Sequence, residues 1–157
     1  MAYFVTTELV ERAFRMAEPS IQLTLAETAK RVAGHLRVTA RSYDKSRWVL
    51  LATRDYGSRA KWEHDYPGHA TAKEAISQRT GKSTREVQLM HPEMLEAGDT
   101  VYYGSVVSPD GSIVVAFSGV EAWFDEMFAS WVLTAILALI QHELERQRAA
   151  GNEYYEA

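Results

Sequence analysis

The chain has no cysteine. That removes disulfides, thiolate metal sites, iron–sulfur clusters and a Cys nucleophile in one step. Proline is scarce, at 4 of 157 residues, and glycine stands at 9, so collagen-like repeats and Pro/Gly-rich disordered tracts are excluded. An excess of positive charge is also missing. Lys and Arg number 17 against 21 Asp and Glu, a net charge of −4, which argues against a general nucleic-acid binder. The start, Met1-Ala2-Tyr3-Phe4-Val5, has neither the basic segment nor the apolar run of a signal peptide. The longest apolar stretch, Phe128 to Ile140, covers 13 residues, against roughly 20 for a membrane-spanning helix. The expectation is a soluble, cytoplasmic protein with no nucleic-acid or membrane partner.

What is present is a globular composition, 46% apolar and 24% charged. A chain of this size buries roughly 70% of its unfolded surface around one core. With no linker, repeat or low-complexity segment, residues 1–157 read as a single domain, with 149–157 as a frayed tail.

Periodicity places the elements. Leu9, Val10, Ala13, Phe14 and Ala17 form one helical stripe behind Thr7. Pro19 is expected to break that helix, and Ser20 to cap a second one ending at Gly34. From Leu36 the period becomes two: Leu36, Val38 and Ala40 predict a strand with one wet face. Trp48 to Ala52 is continuously apolar and predicts a strand covered on both faces, the two forming a hairpin. Residues 54–69 are polar and aromatic and read as a loop with room for a short helical turn. Helices are expected over 70–78 and from Thr84. Strands flank the turn Pro109-Asp110-Gly111. One long helix then runs from Glu121 to Gln147, with acids at its start and arginines at its end. Hairpins segregated from helices define an α+β fold.

Five segments, in order, resemble the GlcG/HbpS-like family, domain of unknown function 336. They are WVLLATRDYG, ATAKEAI, GKSTREVQ, YYGSVVSPDGSIVVAFSGV and the following FDE. The resemblance covers about Trp48 to Ile140, and residues 1–19 look like an added N-terminal helix. It implies a profilin-like, PAS-reminiscent domain: a curved antiparallel sheet of about five strands flanked by helices. It also implies small-molecule binding, with haem as the cofactor in some members, and homo-oligomers. The chain departs from the family in having Tyr102-Tyr103-Gly104-Ser105-Val106 where a Gly-Gly-x-Pro segment is usual.

The densest chemistry lies in the 54–69 segment. His64, Asp65 and His69 are the candidate acid–base groups, since imidazole and carboxylate exchange protons near neutral pH. On a helix His64 and His69 would stand about 140° apart, a poor chelating geometry, so no metal site is expected. Arg54 and Arg59 can hold a carboxylate, such as a haem propionate, through a bidentate fork. Tyr56 and Trp62 offer ring faces to a flat ligand. Tyr103 joins them as a ligand-binding candidate, because the resemblance puts its strand beside a groove.

Two motifs are discarded. TGKST lacks the upstream Gly of a phosphate loop, where Ile76 stands, and His142-Glu143 lacks the second His of a zinc-protease helix. The aromatic surplus of the last helix, Trp123, Phe124, Phe128 and Trp131, predicts self-association through 121–147. The alternative weighed against it is a monomer in which the Thr7–Ala17 helix covers that face. The resulting expectation is an oligomeric small-molecule binding protein. The alternative is a small enzyme doing His/Asp acid–base chemistry on a small organic acid.

Overall fold

The computed structural model describes residues 5–151. The chain runs α1 (Thr7–Glu27), β1 (Gly34–Arg41), β2 (Trp48–Tyr56), α2 (Tyr66–Thr80), α3 (Thr84–Met90), β3 (Ser105–Val107), β4 (Ile113–Ser118) and α4 (Ala122–Ala149). This is an α+β fold whose four strands form one antiparallel sheet in the order β2-β1-β4-β3. The expected count was about five; four strands pair among the described residues.

The first correction concerns Pro19. It lies inside one continuous helix, α1, rather than between two. A helical proline costs about 3 kcal/mol. Here one apolar stripe, Leu9, Val10, Ala13, Phe14, Ala17, Ile21 and Leu25, is buried on both sides of it, and each large side chain so buried contributes roughly 1.5–3 kcal/mol. Burial of the whole face outweighs the lost backbone bond. The added helix of residues 1–19 therefore has no boundary of its own. Residues 1–4 and 152–157, including most of the expected frayed tail, lie outside the described residues.

Gly34 is the second correction. It opens β1 instead of closing a helix. A Cβ there would sit 2.4 Å from the Phe117 ring, so only glycine lets β1 lie this close to β4.

The first hairpin forms as expected, with Leu36 opposite Arg54 and Val38 opposite Ala52. The environments of its strands are interchanged, however. β1 is central and covered on both faces, while β2 is the edge strand and leaves Leu50 49% exposed. Leu36, Val38 and Ala40 face a core shared with α1 and α4. The other face of β1, read from sequence as wet, lies under α2: Arg37 pairs with Glu74 at 2.7 Å, and Gln78 donates to Thr39 at 3.0 Å. These polar contacts explain why alternation looked like solvent exposure.

α4 spans 28 residues and is long and apolar enough to cross a bilayer by length and composition. In this fold it is a core helix: Phe128, Ala129, Val132, Ile136 and Ile140 are buried against the sheet and α1. α1 packs against α4 in the same core. Trp123 remains 62% exposed at the helix start.

Candidate functional site

Of residues 54–69, the middle is a connection carrying one short helical turn, as expected, but both ends belong to regular elements. Arg54 and Tyr56 end β2, a single turn of 3-10 helix covers 59–61, and α2 begins at Tyr66. The start of α2 is locally encoded. The Asp65 side chain accepts the Gly68 amide at 3.0 Å, and Pro67 sits in the first turn, where no amide donor is needed.

This rearrangement splits the sequence candidates. Arg54 pairs with Glu11 of α1 at 2.9 Å and lies over the Phe14 ring. Tyr56 is buried in the α1/α4 core against Phe117, and burial pushes its hydroxyl pKa upward. Neither lines the pocket that His64 and His69 reach. Arg59 is exposed, bonded to Asp55 at 2.6 Å and laid over Trp62. Trp62 donates to the Tyr56 carbonyl at 3.2 Å. Asp65 is engaged as the helix cap. Tyr103 does not line the cavity, and its neighbour Tyr102 does. Of the candidates, His64 and His69 alone reach the pocket.

That pocket has a volume of about 300 Å³ and lies between the start of α2, the start of α4 and the end of β4. Aromatic rings form its mouth edge to face. His64 packs on Tyr66 with centroids at 6.2 Å and on His69 at 6.5 Å, and His69 packs on Tyr102 at 6.4 Å.

One wall is cationic. Lys30 and Arg31 come from the α1–β1 connection. Arg31 donates through Nη1 to the Tyr66 hydroxyl at 3.2 Å and the Gly119 carbonyl at 3.1 Å. Among the described residues no carboxylate pairs with either side chain. Ala122, the first helical residue of α4, lines the same wall, and Glu121 at the N-cap position makes no side-chain capping bond. Glu121 instead accepts the Lys30 backbone amide at 3.1 Å, which fixes the connection against α4.

The floor is a buried ion pair. Lys73 Nζ of α2 donates to Asp125 Oδ2 of α4 at 2.9 Å and to the Phe117 carbonyl at 3.0 Å. Asp125 Oδ1 accepts the Val120 amide at 3.1 Å. Burial raises the Asp125 pKa to about 6 against the pull of Lys73, and burial lowers that of Lys73 against the pull of Asp125. Gly104 closes the floor at φ +153°. A Cβ there would meet the Phe117 carbonyl at 2.6 Å and Lys73 Nζ at 2.9 Å.

Sequence reasoning missed Lys30, Arg31, Lys73, Ser118 and Asp125. A lone lysine within ATAKEAI and a lone aspartate within the aromatic start of α4 were the available signals, since each places a charge on a face that packing must bury. Three of the segments that carry the family resemblance meet at this floor, through Lys73, Gly104 and Asp125. Among the described residues no cluster of three or more His, Asp and Glu can hold a metal ion.

Fold and pocket together define an α+β sheet protein with a small cation-walled, aromatic-mouthed cavity. No family model matches the chain, and no curated protein matches it. Among solved structures it is similar to the crystal structure of Klebsiella pneumoniae protein ORFY, family-model DUF336. The TM-score is 0.55 at 15% identity, covering 85% of this chain and 91% of that one. At this identity the likeness shows the fold alone, one shared with a DUF336 protein, as the sequence resemblance led one to expect.

Proposed function

We propose that this chain is a small-molecule binding protein of the GlcG/HbpS-like, DUF336 type, and that its pocket takes a small aromatic carboxylate. The observation that carries the reading is the pairing of Arg31 and Lys30, both without a carboxylate partner among the described residues, with a mouth of four packed rings. Guanidinium binds carboxylate in a bidentate fork, and the uncapped start of α4 adds amide donors and positive helix-end potential beside it. The rings accept a flat apolar body. A volume of about 300 Å³ is at the small end for ligand cavities, which favours a single-ring acid over a tetrapyrrole. His64 and His69 at the mouth favour haem as the second reading.

Calorimetric titration with benzoate tests the first reading. Saturable binding to the wild type, weakened at least tenfold in Arg31→Gln and absent for benzamide, is expected. Equal heats for all three would overturn it. A haem titration of wild type and His69→Ala by absorbance decides the second: a saturable Soret band that the variant weakens would favour haem.

A further inference from the structure

Three polar residues stand in one row across three adjacent strands. The register pairs Asp55 of β2 with His35 of β1, and His35 with Ser118 of β4. Directly opposed residues of antiparallel strands share a face, with Cβ atoms about 5 Å apart. His35 Nδ1 lies 2.7 Å from Asp55 Oδ1, and Arg59 holds the other carboxylate oxygen at 2.6 Å.

Asp55 is an ionised acceptor. Burial alone would raise its pKa, but the hydrogen bonds from Arg59 and His35 outweigh that and hold it low. Nδ1 must therefore carry the imidazole proton, which leaves Nε2 as the bare, basic nitrogen. His35 is 97% buried in the sense that only 3% of its surface is exposed, and Nε2 has no hydrogen-bond partner among the described residues. A buried acceptor left unmade is costly in a fold. On the neighbouring strand β4, Ser118 lines the pocket.

We propose that Ser118, His35 and Asp55 form a nucleophile, base and positioning residue for acyl transfer, hydrolysing a small ester whose acid portion is the pocket's aromatic carboxylate. The proposal rests on the pocket being the ligand site. Ser118 Oγ attacks the ester carbonyl, forming an O–C bond while its proton passes to His35 Nε2. The C–O bond to the alcohol breaks, and the alcohol leaves with that proton. Water then attacks the acyl-Ser118 carbon, giving its proton to Nε2. Ser118 departs, recovers the proton, and the acid is released. The balance is ester plus water to acid plus alcohol. Arg31, bonded to the carbonyl of Gly119 next to Ser118, supplies cationic N–H groups for the oxyanion. Ser118 and His35 are not bonded to one another here; such contacts commonly close when substrate binds.

The test is treatment of the folded protein with phenylmethanesulfonyl fluoride, read by intact mass and peptide mapping. Ser118 Oγ displaces fluoride from sulfur, and His35 takes the hydroxyl proton. A single adduct on Ser118 is expected, absent in Ser118→Ala. It should form at least tenfold more slowly in His35→Gln and Asp55→Asn, while Asp55→Glu restores most of the rate. Matched melting curves guard against unfolded variants, and Asp55→Asn keeps the test decisive if His35→Gln does not fold. No adduct on Ser118, or an unchanged rate in folded His35→Gln or Asp55→Asn, would overturn the proposal. Saturating benzoate should slow labelling. His35-dependent labelling that benzoate leaves untouched would keep the row and overturn the aromatic-carboxylate reading instead.

Discussion

The Lys73–Asp125 pair offers the sharpest energetic prediction. Both side chains are almost fully buried, at 2% and 3% exposure, so neither charge has water to fall back on when its partner is removed. In Asp125→Leu the stranded ammonium must either stay charged in an apolar site or lose its proton. At about pH 7, deprotonating a lysine whose ordinary pKa is 10.5 costs about 5 kcal/mol at 1.36 kcal/mol per pH unit. In Lys73→Met the stranded carboxyl must take a proton against its ordinary pKa of 3.8, at about 4 kcal/mol on the same scale. Both agree with the 3–5 kcal/mol seen when one partner of a buried pair is deleted. For a domain of this size each kcal/mol moves Tm by roughly 2–4 °C, so each single variant should melt at least about 6 °C lower. The double variant Lys73→Met/Asp125→Leu removes both charges and should recover to within about 2 kcal/mol of wild type. Urea denaturation of the four proteins closes the cycle. Single losses below about 1 kcal/mol, or a double loss equal to the sum of the singles, would refute the account of the pair as a mutually dependent buried charge.

Further outcomes follow from the same contacts. Burial lowers the His35 pKa below 6.5, so the unfolded chain binds the extra proton first and the contribution of this group is lost as pH falls. Wild type should therefore lose stability relative to His35→Gln between about pH 7.5 and about pH 5, checked by urea midpoints at both ends. Gly104→Ala forces a Cβ against the Phe117 carbonyl and Lys73 Nζ at a φ that L residues avoid. It should cost at least about 2 kcal/mol and abolish benzoate binding, measured by melting and calorimetry. Phe128→Ala opens a hole beside Phe117, Phe124 and Trp131 and should cost about 3–5 kcal/mol by denaturation. Self-association through 121–147 is tested by light scattering of wild type and Trp123→Ser, since Trp123 is the most exposed ring of α4. A dimer that the variant dissolves supports it, and a wild-type monomer refutes it.

Much of the fold was legible because it is written locally. Alternation at Leu36, Val38 and Ala40, the turn at Pro109-Asp110-Gly111, and the apolar run of α4 each carry their own period. Pro19 was misread because the sequence shows the lost hydrogen bond but not the surface of α4 that repays it. The two faces of β1 and β2 were interchanged for a related reason: which strand ends at the edge depends on the β1–β4 pairing, and no local pattern encodes that.

The site was less legible than the fold. Density of chemistry along the chain pointed to 54–69, yet the β2 register turns Arg54 and Tyr56 toward α1, and only His64 and His69 reach the cavity. The residues that build the pocket come from four separate segments, 30–31, 64–73, around 102, and 118–125. Sequence proximity therefore could not collect them. What could have flagged them was misfit: a lysine and an aspartate in helices whose neighbours are apolar.

The central claim is that the pocket between α2 and α4 is a carboxylate site. A crystal structure of the protein grown with benzoate tests it most directly. The account predicts the carboxylate within hydrogen-bond distance of Arg31 and the start of α4, with the ring among Tyr66, His69 and Tyr102. Benzoate bound elsewhere, or a pocket holding only water at saturating benzoate, would contradict it.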